Sequence, residues 1–380
     1  MNYYSSNFKL GILGGGQLGR MLLTETQKFD IHTCILENSK DAPCAQIANE
    51  FTVGNWSDYD AVYNFGKTVD LLTIEIEHIN IKALLQLEKE GLTIYPQPKV
   101  LQIIQNKGFQ KDFYAKNGIP TANYKRFTNK EALQKATLNY PCIWKTDTFG
   151  YDGTGVKKLN SIQDVDLLPN VSCIVEEIIP FKNELAVIVA RNSSGEIKTY
   201  PVVEMEFHSE ANQVEYVLCP ARISKEVAEK AQKVALQVAN AFKHVGLLAV
   251  ELFQTENDEI LVNEVAPRPH NSGHFSIEGS YTNQFEQHIR AILNLPLGDT
   301  ENKVASVMVN LVGKENHVGN VHYKNMNDIL KLKGVTPHIY GKKITKPFRK
   351  MGHVTVADKD INQARKIAEI VKNTISVISK

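Results

Sequence analysis

Short apolar runs alternate with amphipathic stretches along the first quarter of the chain. The apolar runs predict strands over residues 9–13, 33–37 and 71–75. Apolar positions at helical spacing predict helices over 20–28 and 81–90. Strands and helices that alternate in this order predict an α/β unit built on a parallel sheet.

The middle of the chain has a different pattern, richer in strands. Apolar runs predict strands over 142–146, 173–178, 247–253 and 259–265, with one long amphipathic helix over 225–245. Turn-forming residues separate the last two strands, so these strands are predicted to form a β-hairpin. Such a mixture indicates an α+β unit.

The last part of the chain is predicted to contain two strands and a helix. The strands are expected near 305–312 and 335–340, and an exposed helix is expected over 361–377. The changes of pattern along the chain predict three domains, over residues 1–98, 99–297 and 298–380.

The composition indicates an ordinary globular protein. With 380 residues, 43% hydrophobic and 22% charged, the chain can bury large cores. Its net charge of +1 argues against nucleic-acid or membrane partners, and no apolar run approaches the roughly 20 residues of a membrane span. The five cysteines fit no close-paired metal or redox spacing, so we expect reduced thiols in a cytoplasmic protein.

A glycine-rich turn follows the first predicted strand. Residues 14–19 have the G-x-G-x-x-G spacing, and Glu37 ends the second strand near the place where a dinucleotide-binding fold has an acid for the ribose. Three interpretations fit this turn: an NAD site, a site for another phosphate, or close packing of a strand on a helix. The turn by itself does not decide between them.

Two glutamates lie in the predicted hairpin, Glu251 in its first strand and Glu264 near the end of its second. Like charges side by side in a half-buried sheet repel, so the pair is stable only with a cation between the carboxylates. Oxygen ligands favour magnesium that bridges to phosphates. The alternative is a pair of solvated glutamates at a sheet edge.

A second glycine-rich segment, residues 148–156, follows the strand that carries Lys145. A flexible glycine loop beside a lysine suits closure over a triphosphate, although the G-K-[ST] ending of a Walker sequence is absent. The alternative is a β-turn beside a solvated lysine. Further on, an acidic strand end at 175–180 leads to Glu184, and an ordinary sheet edge is the simpler interpretation of that segment.

The run A-P-R-P-H-N-S-G-H at 266–274 collects an arginine, two histidines, an asparagine and a serine in one loop, a mixture that no apolar core needs. Lysine, glycine loop, acidic strand end and paired glutamates occur in the order of the ATP-grasp superfamily, which the chain resembles. With GGGQLGRM at 14–21, EIEHI at 75–79, GYDG at 150–153 and RKMGH at 349–353, it more narrowly resembles the 5-(carboxyamino)imidazole ribonucleotide synthases. The resemblance covers nearly the whole chain.

This resemblance implies an ATP-grasp fold over 99–297, with a glycine-loop lid at about 120–180. A Rossmann-like domain similar to the biotin carboxylase N-domain would precede it, and a small C-terminal domain would follow. The family uses ATP as co-substrate with Mg²⁺, and it joins bicarbonate to the exocyclic amine of aminoimidazole ribonucleotide through carboxyphosphate, in purine biosynthesis. It also implies a homodimer.

The resemblance assigns site residues by position. Those expected to hold ATP are Lys107, Lys145, Gly150, Tyr151, Asp152, Gly153, Thr154, Gly155, Val156, Glu176, Glu177, Ile178, Ile179, Glu184, His208, Asn263 and Glu264. Those expected to contact the ribonucleotide are Tyr151, Asp152, Arg268, His270, Asn271, Ser272, Lys342 and Arg349. Glu251 and Glu264 match the magnesium ligands. Lys145 and Arg268 are the expected catalytic cations, and either Asp152 or His270 is the expected general base.

The chain departs from its relatives at several positions. Thr154 and Val156 stand where a basic residue and a glutamine are common, and Lys107 replaces an arginine, which keeps the charge without bidentate geometry. Ala266 stands where many ATP-grasp enzymes have a third metal ligand.

Other functions compete with this assignment. A formate-using ligase of purine ribonucleotides and a biotin carboxylase-like enzyme share the ATP-binding features but lack the 266–274 run. A regulatory nucleotide-binding protein would not need that run either. An NAD-dependent oxidoreductase accounts only for the first 40 residues.

Overall fold

The computed structural model describes residue 3 and residues 5–148, 155–208 and 213–380. The predicted combination of α/β and α+β units is confirmed in this part of the chain. The first unit is a parallel sheet with the strand order β3-β2-β1-β4-β5. Its elements are β1 (Lys9–Leu13), α1 (Gln17–Thr26), β2 (His32–Glu37), β3 (Glu50–Val53), α2 (Tyr59–Gly66), β4 (Leu71–Ile74), α3 (Ile81–Lys89) and β5 (Thr93–Ile94).

The glycine-rich turn between β1 and α1 binds carboxylates of the protein itself. The Gly15 N–H donates to Glu37 Oε2 at 2.7 Å. The N–H groups of Gly16 and Gly19 donate to the two oxygens of Glu75, at 2.8 and 3.2 Å. A carboxylate therefore fills the place that a phosphate would need, which favours the packing interpretation of this turn over a dinucleotide site. Strand β4 ends at Ile74, one residue before the predicted end.

The second unit is a small antiparallel sheet with the order β6-β9-β7-β8. Two helices connect it to the first unit. The elements are α4 (Pro98–Ile104), α5 (Lys107–Lys116), β6 (Tyr124–Phe127), α6 (Lys130–Gln134), β7 (Cys142–Thr146), β8 (Val156–Leu159) and β9 (Cys173–Glu177). Buried Trp144, Leu159 and Val165 form the centre of its core. The strand predicted at 142–146 is confirmed, because an uninterrupted β-rich run there is bounded by turn residues.

The third unit begins with long antiparallel strands. Its first elements are β10 (Phe181–Arg191), β11 (Ile197–Thr199), β12 (Val203–Phe207), β13 (Val214–Cys219), α7 (Lys225–Phe242), β14 (Gly246–Thr255), β15 (Ile260–Ala266), α8 (Ser276–Gly279) and α9 (Gln284–Ile292). Helix α7 packs on the sheet through Val227, Ala231, Ala235 and Val238, which recur at helical spacing and are buried. The predicted hairpin is confirmed, because β14 and β15 are adjacent and antiparallel.

The sheet continues into the C-terminal residues. The remaining elements are β16 (Ala305–Val312), β17 (Gly319–Lys324), α10 (Met326–Ile329), β18 (Val335–Ile339), β19 (Ile344–Thr345), β20 (Lys350–Asp358), α11 (Ile361–Thr374) and β21 (Ser376–Ser379). Strand β16 pairs with β13, so one sheet runs in the order β15-β14-β10-β12-β13-β16-β20-β18, with β11 on β10. The division into three domains stays a prediction.

One expectation for the C-terminus was wrong. The predicted helix over 361–377 ends at Thr374, and the residues after it form β21, which pairs with β17. The helix is exposed on its outer face, whereas Ala364, Ala368 and Val371 are fully buried against the sheet. Tertiary pairing with a distant strand overrides the local helical pattern at this end.

Candidate active site

A cleft of about 840 Å³ lies between the small sheet, the hairpin of the large sheet and the segment after β4. Most of the predicted site residues that the structure describes line it. They are Lys107, Lys145, Val156, Glu176, Glu177, Ile178, Ile179, Glu184, Glu251, Asn263, Glu264, Arg268, His270 and Asn271. Side chains separated by up to 164 positions in the chain therefore meet in one cavity.

Other predicted residues do not line this cleft. Ser272 is buried beneath it, and Gly155 lines a separate surface depression with Val156. Lys342 donates to Lys350 O at 2.7 Å, and Arg349 Nη1 donates to Ile344 O at 2.5 Å. Lys350 does line the cleft, so this C-terminal loop reaches its border.

His208 also does not line the cleft. The His208 N–H donates to Gln213 O at 2.9 Å, and its ring lies 6.3 Å from that of Phe348. The predicted site residues that lie outside the described part of the chain are Gly150, Tyr151, Asp152, Gly153 and Thr154.

The two hairpin glutamates stand directly opposite each other, Glu251 on β14 and Glu264 on β15. The register shifts beside this pair, so Asn263 and Glu264 together oppose one residue, as in a β-bulge. Successive side chains of a strand normally point to opposite faces, and the bulge lets both of these neighbours line the cleft. β15 is an edge strand, but its glutamate faces a cavity instead of open solvent.

Lys107 neutralises one member of this pair. Its Nζ lies 2.6 Å from Glu264 Oε2. The Lys107 ammonium lowers the pKa of Glu264, although burial acts against it. Burial raises the pKa of Glu251, and the charges of Glu264 and Glu184 add to that effect. Lys107 therefore acts to lower the pKa of both carboxylates, but it outweighs burial only at Glu264, which it contacts.

A second carboxylate in the cleft holds two lysines. Lys111 Nζ lies 2.5 Å from one oxygen of Glu176, and Lys145 Nζ lies 2.7 Å from the other. Burial raises the pKa of Glu176, but the Lys145 and Lys111 ammoniums outweigh that effect and hold it below its usual value. Lys145 also lies 3.2 Å from Asn263 Oδ1. This network fixes the position of the Lys145 charge beside the paired glutamates.

Sequence reasoning missed Lys111 as a site residue. Lys107 and Lys111 are four residues apart at the start of α5, so both lie on one face of the helix. That face is turned to the cleft, which both side chains line. The i, i+4 spacing of two lysines in a helix is the signal that could have identified Lys111.

Arg268 has an acidic partner that the sequence did not predict. Its Nη2 lies 3.1 Å from Glu77 Oε1, and its Nη1 donates to Pro269 O at 3.1 Å. The Gln105 amide donates to the carbonyl oxygens of Glu77 and Ile79, at 2.6 and 3.0 Å, and so holds the segment after β4. The EIEHI motif therefore serves both the glycine turn, through Glu75, and the cleft, through Glu77.

His270 and Asn271 lie on the wall next to the glutamate pair. His270 Nε2 is 3.4 Å from Glu251 Oε1, and its Nδ1 is 2.9 Å from Ser272 Oγ. The amides of Asn271 and Asn310 bond each other in both directions, at 2.9 and 3.0 Å. The 266–274 loop thus presents a guanidinium, an imidazole and an amide to one side of the cleft, opposite the lysines.

Every helix in the described part of the chain is too short or too polar to cross a membrane.

The chain matches known families along most of its length. Residues 8–105 match the ribonucleotide synthetase preATP-grasp domain, and residues 112–285 match the ATP-grasp domain. Residues 306–367 match the phosphoribosylaminoimidazole carboxylase C-terminal domain. The ATP-grasp match spans the small sheet and the first part of the large sheet, and the C-terminal match lies in the rest of the large sheet.

Individual relatives are similar over most of the chain. The N5-carboxyaminoimidazole ribonucleotide synthase of Bacillus subtilis is 38% identical over 352 residues, which cover 91% of this chain and 90% of that protein. The crystal structure of the Thermotoga maritima synthetase of the same name has a TM-score of 0.91 at 40% identity, covering 98% of this chain and 100% of that one.

A third relative was solved with ligands. The Aspergillus clavatus N5-carboxyaminoimidazole synthase, in complex with ADP and 5-aminoimidazole ribonucleotide, has a TM-score of 0.88 at 33% identity and covers 97% of this chain and 98% of that one. The fold and the relatives agree with the family that the motifs predict. The chain belongs to the N5-carboxyaminoimidazole ribonucleotide synthase family of ATP-grasp proteins.

Proposed function

We propose that this protein uses ATP and bicarbonate to carboxylate the exocyclic amine of 5-aminoimidazole ribonucleotide. The products are N5-carboxyaminoimidazole ribonucleotide, ADP and phosphate. The observation that carries the proposal is one cleft in which Arg268, His270 and Asn271 face the lysines and the paired glutamates. A nucleotide-binding protein without this reaction would need the lysines, but it would not need the 266–274 loop.

ATP would lie along the side of the cleft formed by the small sheet. The Glu177 N–H donates to Asn123 O at 3.1 Å and is therefore not available to a ligand. The backbone groups that hydrogen-bond to adenine would be those of Ile178 and Ile179, just after β9. Glu184 lies on β10 at the cleft wall and would accept the ribose hydroxyls. Lys107 and Lys145 would then meet the phosphates.

The hairpin carboxylates fit a magnesium ion. Glu251 is partly buried and faces Glu264 across the hairpin, and the burial and like charges that raise its pKa are what a divalent cation would offset. Glu264 would share the ion, with Lys107 at its other side. When bound, the ion neutralises charge on the β- and γ-phosphate oxygens.

The reaction would proceed in two steps. A bicarbonate oxygen attacks the γ-phosphorus, the bond to the β-phosphate oxygen breaks, and ADP leaves with carboxyphosphate formed. The exocyclic amine nitrogen then bonds to the carboxyphosphate carbon, or to carbon dioxide released from it, and phosphate leaves. Lys145 and Arg268 would stabilise charge that develops on phosphate and carboxylate oxygens. Asp152 or His270 would accept the amine proton.

The remaining site residues would bind the ribonucleotide. Asn271, Lys342 and Arg349 are proposed as contacts, and the C-terminal loop that carries the last two borders the cleft through Lys350. Ser272 would act through its 2.9 Å contact with His270 Nδ1. The homodimer and the cytoplasmic location stay predictions.

The test is ADP release in the presence of magnesium and labelled bicarbonate, with and without aminoimidazole ribonucleotide. We expect the ribonucleotide to stimulate ADP release and the label to enter an acid-labile carbamate. Tight ATP binding with neither stimulation nor label would contradict the proposal. Formate in place of bicarbonate tests the related ligases, and NADH fluorescence tests an oxidoreductase.

Arg268→Ala tests the role of the loop within that assay. We expect a loss of carboxylation of about 100- to 1,000-fold with ATP affinity largely retained, because the guanidinium is proposed to act on developing charge. Arg191→Ala, which removes an arginine on β10 whose Nη1 is 3.5 Å from Lys243 O, is the matched control. Unchanged turnover in Arg268→Ala would remove this residue from the mechanism.

A further inference from the structure

A buried amide beneath the cleft holds the backbone of His270. Gln284, the first residue of α9, is fully buried. Its Oε1 accepts the His270 N–H at 2.9 Å, and its Nε2 donates to His270 O at 2.8 Å. The same Nε2 lies 2.9 Å from His274 Nδ1. One side chain therefore occupies both backbone groups of His270 and a ring nitrogen four residues further on.

The position of Gln284 is itself fixed from several sides. Asn283 caps α9 by accepting from the N–H groups of Phe285 and Glu286, at 2.9 and 3.0 Å. The Gln284 N–H donates to Ser276 Oγ at 2.9 Å, and that hydroxyl donates to Gly273 O at 2.5 Å. A Cβ on Gly273 would stand 2.3 Å from Gln284 Oε1, so the loop packs closely on the amide.

These bonds determine which way the Gln284 amide points. The His270 N–H can only donate and the His270 carbonyl, which also accepts from the Gly273 N–H at 3.0 Å, can only accept, so Oε1 must face the first and Nε2 the second. The second hydrogen of Nε2 then points at His274 Nδ1, which must accept it. His274 must therefore be neutral, with its proton on Nε2.

The surroundings of His274 favour the neutral ring. His274 is buried, and its ring stacks on that of His353 at 4.8 Å between centroids, while His353 stacks on His338 at 4.5 Å. Burial lowers the pKa of His274 well below its usual value, and the neighbouring positive charges add to this effect. The Tyr340 hydroxyl lies 2.9 Å from His353 Nδ1, which fixes the middle ring.

We propose that Gln284 and His274 are positioning residues for the carboxylation step: neutral His274 orients the Gln284 amide, and the amide holds the His270 loop against the cleft. Neither residue lines the cleft in the described part of the chain, so both act through His270. The proposal rests on the proposed function. It also predicts an atomic detail that does not depend on activity, namely the protonated nitrogen of His274.

The first test compares two substitutions of nearly equal size. His274→Asn keeps an acceptor near the place of Nδ1, whereas His274→Leu does not. We expect His274→Leu to lower kcat for ribonucleotide-stimulated ADP release, or to raise the KM for the ribonucleotide, by about 10- to 100-fold. His274→Asn should recover most of this loss, and the KM for ATP should stay within about twofold in both, since ATP is proposed to bind on the other side of the cleft. Equal activity of the two variants would overturn the proposal.

The second test uses the unmodified protein. Nitrogen-15 shifts of the histidine rings, with His274 assigned by its absence in His274→Asn, report which ring nitrogen carries hydrogen. We expect the Nε2–H form of His274 throughout the neutral range. An Nδ1–H form would overturn the proposed roles of Gln284 and His274 even if both variants fail to fold. If the protein shows no ribonucleotide-stimulated turnover but His274 has Nε2–H, the proposed function fails while the hydrogen-bond arrangement stands.

Discussion

Glu251 and Glu264 are directly opposite each other on β14 and β15, and Lys107 lies against Glu264 at 2.6 Å. The pKa values of the two carboxylates are consequently shifted in opposite directions. Lys107 holds Glu264 ionised, whereas burial and the charge of its neighbours favour the protonated form of Glu251. A divalent cation in the cleft would ionise Glu251, so the binding of magnesium is expected to release a proton.

Glu251→Gln should remove most of the stabilisation that magnesium gives to the folded protein. With ADP present, magnesium at a hundredfold excess over its Kd should raise the free energy of unfolding of the wild-type protein by about 2.7 kcal/mol. We expect most of this increase to disappear in the variant, because one of two carboxylate ligands is lost. Thermal unfolding with and without magnesium measures it. Glu259→Gln, which alters an exposed carboxylate of the same hairpin, should keep the full increase; a full increase in both variants would exclude Glu251 as a ligand.

Glu176→Gln should destabilise the protein. The substitution leaves the ammoniums of Lys111 and Lys145 close together and buried without the carboxylate that both contact. Breaking a buried pair of this kind costs about 3–5 kcal/mol. The free energy of unfolding from urea titrations measures the loss. Glu177→Gln changes the exposed neighbour and should stay within about 0.5 kcal/mol of wild type, so similar losses in the two variants would argue against the network.

Gly14→Ala should cost more stability than Gly91→Ala. Both glycines have φ of +99°, so both substitutions carry a backbone strain of about 1–3 kcal/mol. A Cβ on Gly14 would stand 2.7 Å from Glu75 Cγ, whereas nothing lies within 4 Å of one on Gly91. We expect a further loss of about 1–3 kcal/mol for Gly14→Ala from this overlap. Equal losses in urea unfolding would show that Glu75 can move away from the turn.

Ionisation of Glu184 should lower the stability of the ligand-free protein as pH rises. Burial raises its pKa to about 7, and the charge of Glu264 adds to this, whereas Lys145 opposes it. The folded state thus binds more protons than the unfolded state between the ordinary glutamate pKa of 4.5 and about 7, and stability falls as pH rises through this range. Glu184→Gln removes the titration. The variant should match wild type below pH 4.5 and exceed it by at most about 3 kcal/mol above pH 7.

Urea unfolding at several pH values measures this difference. Glu256→Gln, which changes an exposed glutamate of the hairpin turn, is the control and should show no such trend. A difference between Glu184→Gln and wild type that does not change with pH would mean that Glu184 ionises normally.

Local patterns sufficed for much of the fold. The strands at 9–13, 142–146 and 305–312 have the predicted ends, because each is a compact apolar run in which neighbouring residues decide the state. The hairpin and its opposed glutamates were also predictable, since a short turn between two strands makes them adjacent. Motif order along the chain identified the family.

Contacts between distant segments were beyond the reach of these patterns. Gly16 and Glu75 are 59 residues apart, and without that bond the glycine turn is equally suited to a phosphate. Local helical spacing could not reveal that residues 376–379, just after α11, form a strand that pairs with β17. In both cases the deciding partner lies elsewhere in the sequence, and only the folded chain brings it near.

The sequence by itself determined the chemistry available to this protein: which lysines, glutamates and loop residues it carries, and in what order. Tertiary structure alone decided which of these groups form ion pairs and hydrogen bonds with one another. Glu264 is neutralised by a lysine 157 residues away, Glu176 holds two ammoniums, and Gln284 fixes the backbone of His270. Such relations depend on burial and on distances of about 3 Å between groups far apart in the chain, and they arise only when the sheets and helices pack together.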